Sequence, residues 1–247
     1  MIMQIYSEEA MNFEYDQIPR GYYDQIYRCK RGVQSRWHHE KFACVREALP
    51  SFSRLVDIGC GPGTFLGSLG HISNEAIGID AMQNQLAYAQ DHFGNNHVRF
   101  INATRPPYPI DSNSVDVVTM IELIEHLDLN SIKDLLAEVW RLLLPGGEIL
   151  LTTPNYASLW PILELIVNKK SNVSYEHQHI THFDRHKLHG MLTEAGFEVQ
   201  EVTAFMFTCP FVAIFGWKAA DVIGRLEPRW ISRRAGFLLF ARARKPA

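Results

Sequence analysis

Three glycines at alternate positions, Gly59, Gly61 and Gly63, follow the run Leu55-Val56-Asp57-Ile58 and precede a short helical stretch, Phe65–Leu69. Glycine lets a backbone turn tightly and approach a ligand with no Cβ in the way. The helix N-terminus behind such a loop carries partial positive charge and free N–H groups, which suit an anionic group. A second acid, Asp80, closes the next apolar run about 20 residues beyond the first glycine, the distance at which a carboxylate meets a ribose hydroxyl pair in strand–helix–strand folds. A dinucleotide fingerprint wants its third glycine at position 64, and Thr64 stands there, which argues against a nicotinamide cofactor. Alone, such glycines could simply make a tight turn, with Asp80 capping the next helix. The strand before, the helix after and the acid at that distance favour a cofactor loop.

The other residues able to do chemistry are acids and histidines. Glu122, Glu125 and His126 fall at spacings of three and four, which share one face if the segment opens a helix. His126 is a candidate base, because an unperturbed imidazole titrates near neutrality; the alternative is that it pins a helix end. Five of the eleven histidines lie between His177 and His189, in and after the run Tyr175–Phe183. His179 and His182 are the candidates to face a substrate, although a polar loop followed by helix-face His186 and His189 would give the same composition. Glu122, Glu125, His126 and His179 would make a mixed carboxylate–imidazole site if a divalent ion were held. Proton removal by His126 needs no ion, so no obligatory metal is expected.

Positioning these groups requires a scaffold, and the chain alternates short apolar runs with helical patterns, the mark of strand–helix–strand units on a parallel sheet. Strands are expected at Arg54–Ile58, Ala76–Asp80, Val98–Ile101, Val115–Ile121, Glu148–Thr153, Phe197–Val202 and Gly236–Ala243. Helices are expected at Ala81–His92, at Leu129–Leu144 and from Asp184 to Ala195. Pro145-Gly146-Gly147 would end the second of these with a left-handed glycine cap, and Gly196 would stop the third. The fold class is a doubly wound α/β sheet. Residues 1–50 read as a helical extension or flap, and 51–247 as the main domain, with apolar insertions at about 154–183 and 204–235.

VDIGCGPGTFL, AIGID, DSNSVDVVTMIELIEHL and LLLPGGEILLTTPN resemble, in order and spacing, the first, second, fourth-strand and fifth-strand motifs of the class I S-adenosylmethionine-dependent methyltransferases. The likeness covers roughly Leu55 to Phe197, and it is to the broad group that includes ubiquinone-biosynthesis O-methyltransferases and many small-molecule enzymes. It implies a seven-stranded sheet with the last strand antiparallel and S-adenosylmethionine across the carboxyl ends of the first strands. It also implies a site made by Asp57, Gly59, Cys60, Gly61 and Gly63, then Asp80 and Ala81, then Asn102 and Ala103, with Glu122 near the sulfonium. Asn102 stands where the family usually has an acid, and its carbonyl can accept the same adenine N–H. The histidine run also resembles a segment of a family branch acting on sugars and lipid-linked substrates.

The insertion around Ser158–Leu163 and the stretch Phe205–Trp217 are apolar enough to wall a pocket for a greasy acceptor, or to pack as plain helices on the sheet. The expected reaction is O-methylation of a hydrophobic or lipid-linked small molecule or sugar. The alternatives are a metal-assisted RNA 2′-O-methyltransferase and a non-catalytic cofactor-binding protein of the same fold. A formal net charge of −3 gives no global attraction to nucleic acid, and none is expected as partner. The four cysteines are scattered with no paired spacing, and the first residues lack a signal peptide's basic and apolar regions; both point to the cytoplasm. Arg225, Arg229, Arg233, Arg234, Arg242 and Arg244 accompany apolar residues, a combination suited to peripheral contact with an anionic membrane.

Overall fold

The computed structural model describes residues 18–161 and 179–247; the first 17 residues of the expected extension, and residues 162–178 of the first insertion with His177, lie outside the described residues. Among the described residues, seven strands form one sheet: β1 (Arg54–Ile58), β2 (Glu75–Asp80), β3 (Val98–Asn102), β4 (Val115–Ile121), β5 (Leu143–Pro154), β6 (Glu198–Phe205) and β7 (Leu238–Arg244). Their order is β3-β2-β1-β4-β5-β7-β6. All pairings are parallel except those of β7, which runs antiparallel to both β5 and β6. The chain winds outward from β1 in one direction, then returns to β4 and winds in the other. The crevice between β1 and β4 is therefore the switch point at which open α/β sheets take ligands.

Side chains in a strand alternate faces, and here both faces are covered. Val56 and Ile58, Val118 and Met120, and Ile149 and Leu151 join one core, while Leu55, Val117 and Leu150 from the same strands join the other. The first core is closed by α5 (Leu129–Leu142) and α6 (Arg185–Glu194), which bury Ile132, Leu136, Val139, Leu188 and Leu192. The second is closed by α2 (Gly32–Ala48) and α3 (Thr64–Ser68) through Phe42, Val45, Phe65 and Leu66. Each such side chain taken out of water contributes about 1.5–3 kcal/mol. Before α2 comes α1 (Tyr22–Cys29), and α4 (Gln83–Phe93) links β2 to β3. Between β6 and β7 a helical cap forms: α7 (Cys209–Val212), a 3-10 turn (Ala213–Phe215), α8 (Trp217–Leu226) and α9 (Arg229–Ala235).

One helix end differs from expectation. Pro145-Gly146-Gly147 does not cap α5; the helix stops at Leu142, and Leu143 already has extended backbone and begins β5. The helix carbonyls near that end are met from far along the chain. Lys245 Nζ donates to Trp140 O and Leu143 O, both at 2.7 Å, which puts a cation at the negative end of the helix. Gly146, at φ 82°, instead turns β5 against the end of β7, where a Cβ would lie 2.8 Å from the Arg244 guanidinium. Gly196 acts as expected: at φ 93° its N–H donates to Thr193 O while Phe197 N–H donates to Leu192 O, the paired pattern of a left-handed cap.

The start of α5 is set by Asp128, whose Oδ1 accepts from Asn130 N at 2.9 Å and Ser131 N at 3.0 Å. Asp128→Ala should lower unfolding free energy by about 1 kcal/mol and Asp128→Asn by less. Urea unfolding of both variants checks this; equal losses would mean that the side-chain cap is not what matters there.

Candidate active site at the switch point

The β1–α3 loop is tied to β2, since Gly59 N and Cys60 N both donate to Ile79 O. Gly59, Gly61 and Gly63 all have left-handed backbone, at φ 76°, 51° and 73°. A Cβ on Gly59 would meet Leu123 at 2.9 Å, and one on Gly63 would meet Phe100 at 2.9 Å and Ala89 at 3.0 Å. Those two glycines serve packing between elements. A Cβ on Gly61 would meet nothing within 4 Å, so only there does the missing side chain open space for a guest. Gly61 N donates to Asp80 Oδ2 at 2.7 Å and Met82 N to Asp80 Oδ1 at 2.8 Å, which fixes the carboxylate at the end of β2.

Around this loop stand the other expected residues. Asp57 is buried at the middle of the sheet with Thr119 Oγ1 donating to its Oδ1 at 2.6 Å. Burial pushes its pKa up to about 7, against that hydrogen bond, and the Asp80 charge adds to the rise. Asn102 Nδ2 donates to Asp80 O at 3.1 Å and Ala81 O at 2.9 Å, which turns its carbonyl oxygen away from them; Ala103 N donates to Asp80 O. The Cys60 thiol is buried and its pKa raised by that burial, so it packs rather than reacts.

Glu122, Glu125 and His126 do not share a helix face. Glu122 directly follows β4 at φ 51°, a conformation costly for a non-glycine residue, and only Ile124–His126 form a single 3-10 turn. The reason is that Glu122 N still donates to Thr152 O, which keeps the residue in register with β5. Its carboxylate turns instead to α2, accepting from Trp37 Nε1 at 3.1 Å and pairing with Lys41 Nζ. Burial pushes the Glu122 pKa up, and the Lys41 ammonium outweighs it and holds the group below its ordinary value.

Glu125 and His126 join His179 instead. Ile180 N and Thr181 N donate to Glu125 O, and Thr181 Oγ1 donates to Leu127 O, which stitches the second histidine segment to the 3-10 turn. The His126 and His179 rings lie 5.1 Å apart, and one ligand-type atom from each of Glu125, His126 and His179 falls within 4.8 Å of the others. Glu125 is buried; its Oε2 accepts from Thr153 Oγ1 at 2.9 Å, its Oε1 has no hydrogen-bond partner among the described residues, and burial raises its pKa to about 7. His179 Nδ1 shares a hydrogen bond with Tyr156 OH at 2.9 Å. His182 stays outside the cluster, exposed and stacked on Tyr156 at 3.8 Å.

Aromatic rings wall the same end of the sheet. Trp37 packs on Trp160 (5.2 Å) and Phe237 (6.5 Å), Trp160 approaches His179 (6.2 Å), and Phe207 and Phe211 pack on Phe237. Trp37, Lys41, Thr119, Thr153 and Tyr156 are the neighbours that sequence reasoning missed. Trp37 and Lys41 did carry one signal, a spacing of four on a single helix face.

A family profile described as a methyltransferase domain matches residues 28–202. A Mycolicibacterium smegmatis protein named "Probable S-adenosylmethionine-dependent methyltransferase" is 28% identical over 60% of this chain and 52% of its own length. The mitochondrial ubiquinone biosynthesis O-methyltransferase of Rattus norvegicus is 22% identical over 66% of this chain and 49% of its own. The chain thus spans about half the length of these curated relatives. Among solved structures, a SAM-dependent methyltransferase from Thermotoga maritima is 20% identical with a TM-score of 0.65, covering 90% of this chain and 94% of that one.

The state of Asp57 has a measurable consequence. Its folded-state pKa, about 7, lies above the ordinary 3.8, so the folded protein holds this proton more tightly than the unfolded chain. The resulting stabilisation is whole below about pH 4 and is lost as pH rises towards 7. Thermal denaturation of the ligand-free protein over that range should show Asp57→Asn with a flatter profile than wild type. The difference in slope should approach about 1.4 kcal/mol per pH unit. Parallel profiles would mean that Asp57 is ionised throughout.

Proposed function

This chain belongs to the class I S-adenosylmethionine-dependent methyltransferases, and we propose that it methylates a hydroxyl on a hydrophobic or lipid-linked small molecule or sugar. The residues at the switch point suit the cofactor. Gly61 leaves open space where a Cβ would stand, beside an Asp80 carboxylate held by backbone N–H groups. Asp57 is a buried acid on which no cation among the described residues acts, an arrangement that suits a ligand's ammonium group. In this reading Asp57 and the loop Gly59-Cys60-Gly61-Pro62-Gly63 hold the methionine moiety. Asp80 and Ala81 hold the ribose, Asn102 and Ala103 the adenine, and Glu122 lies near the sulfonium.

S-adenosylmethionine supplies a methyl group already activated on sulfur. What remains for the protein is to align an acceptor, exclude water and take a proton from it. The observation that carries the acceptor class is the aromatic wall of Trp37, Trp160 and Phe237, continuous with His179 and with the Trp37–Glu122 hydrogen bond. Such a wall favours an apolar body, while the histidines give it one polar end. His126 receives the hydroxyl proton on a ring nitrogen, and His179, oriented by Tyr156, steadies the acceptor oxygen. The likeness to an O-methyltransferase of ubiquinone biosynthesis supports a hydroxyl acceptor.

A second reading is metal-assisted transfer, including to an RNA 2′-hydroxyl. It is favoured by the convergence of Glu125, His126 and His179 and by the unpartnered Glu125 Oε1. Against it, Glu122 is committed to Lys41 and Trp37 and so leaves three protein ligands rather than four. The net charge of −3 also counts against a nucleic-acid substrate.

Calorimetry should show S-adenosylmethionine and its demethylated product binding to wild type and failing with Gly61→Val, whose side chain would fill the open space and strain a φ of 51°. Normal affinity in the variant would refute the placement of the cofactor. Methyl transfer should then be assayed on quinone precursors, lipid-linked sugars and short RNAs, with exhaustive chelation and with added magnesium or manganese. Turnover on an apolar hydroxyl acceptor that survives chelation is expected. Turnover confined to RNA, or lost on chelation and restored by metal, would replace this reading with the second.

A further inference from the structure

We propose that the cap between β6 and β7 docks on an anionic lipid surface, with α8 lying in the plane of the interface. Of the eight large hydrophobic side chains exposed among the described residues, six belong to this cap: Ile214, Phe215, Val222, Ile223, Leu226 and Trp230. Phe215 is 85% exposed, and Leu226 and Trp230 are each 70% exposed. Scattered apolar residues on a surface need no explanation, but their concentration on one short segment does.

The sides of α8 explain the arrangement. Its inner side packs on the protein: Ala220 is fully buried, and a Cβ on Gly224 would lie 3.3 Å from Cys209 Sγ. Trp217 stacks edge-on to His39 at 4.8 Å beneath the Arg36 guanidinium at 5.2 Å. Its outer side carries Lys218, Val222, Arg225 and Leu226, at spacings that put basic and apolar residues next to one another on one face. That is the pattern of a helix whose apolar side chains enter the acyl boundary while the cations stay at the headgroups.

Charge selects the partner. Residues 209–236 contain five basic side chains and two acidic ones, in a chain that is net negative. Both acids are engaged within the protein: Asp221 accepts from Arg36, and Glu227 accepts from the Thr208 N–H and hydroxyl. Lys218, Arg225, Arg233 and Arg234 remain exposed. A second copy docking on the same face would set these cations against one another, and nucleic acid would leave the apolar side chains unmatched. An anionic bilayer matches both. No helix among the described residues is long and apolar enough to cross a membrane, so the contact is one of lying on the surface. The inference does not depend on the identity of the methyl acceptor.

Co-sedimentation of the full chain with vesicles of phosphatidylcholine alone, or mixed with phosphatidylglycerol, tests it. Binding to the mixed vesicles, weakened by salt, is expected. Arg225→Gln with Arg233→Gln should weaken it about twenty-five-fold, at about fivefold per cation. Phe215→Ser with Leu226→Ser should abolish it. Both double variants should keep the wild-type Tm and S-adenosylmethionine affinity, because none of the four side chains packs in the core or touches the proposed cofactor site. Absence of sedimentation, equal binding to both vesicle types, or unchanged binding of the variants would overturn the proposal. So would a dimer in light scattering that the Phe215 variant dissolves, or RNA binding that displaces the vesicles.

Discussion

Glu122 carries a negative charge to the end of the central strand, at a backbone angle that disfavours it, and the Lys41 ammonium keeps it ionised there. A buried ion pair of this kind is weak evidence for stability, since the cost of desolvating two charges offsets most of their attraction. Breaking one is another matter, because the surviving charge is left buried and alone, typically at 3–5 kcal/mol. The pair therefore acts less as glue than as a positional constraint. It ties α2 to the carboxyl end of β4, with Trp37 sharing the same carboxylate. From α2, Arg36 reaches Asp221 and Cys209 Sγ, which seats the cap. The aromatic wall and the cap both take their places from one helix held by one carboxylate.

The costs of the fold are gathered in the same place. Asp57 and Glu125 are buried acids whose pKa values burial lifts to about 7, and one Glu125 oxygen has no hydrogen bond among the described residues. A chain selected for stability alone would have apolar residues at such positions. Elsewhere in the sheet it has them, as the fully buried Val56, Val118 and Ile149 show. Buried acids with raised pKa values on either side of a switch point suit a site for a charged ligand.

Much of the scaffold is legible in the residues because it depends on short-range chemistry. The runs at Arg54–Ile58 and Val115–Ile121 are mostly apolar, and both form strands with those bounds. Gly196 stops its helix through contacts within six residues. Where the reading failed, the deciding group was distant. The end of α5 depends on Lys245, more than 100 residues away, so Gly146 looked like the cap. Glu122 looked helical because its spacing to Glu125 and His126 fits a helix, whereas the β5 ladder and Lys41 hold it in a left-handed kink. Which histidines face the site was likewise hidden. It depends on backbone hydrogen bonds from Ile180 and Thr181 to the turn at Glu125, and these gather His179 and leave His182 outside.

The same logic relates the two sides of the cap. Phe211 of α7 packs inward on Phe237, which packs on Trp37 beside Glu122. Two residues past the end of α7 the chain turns Ile214 and Phe215 outward. The cap thus separates an apolar interior wall from an apolar outer surface by the thickness of one layer of helices. A polar acceptor would have no use for the inner wall. An acceptor with a long apolar tail could keep that tail among apolar groups from outer surface to inner wall, with only its hydroxyl carried to the histidines. Apolar exposure on α8 and the wall at Trp37 therefore make physical sense as parts of one arrangement.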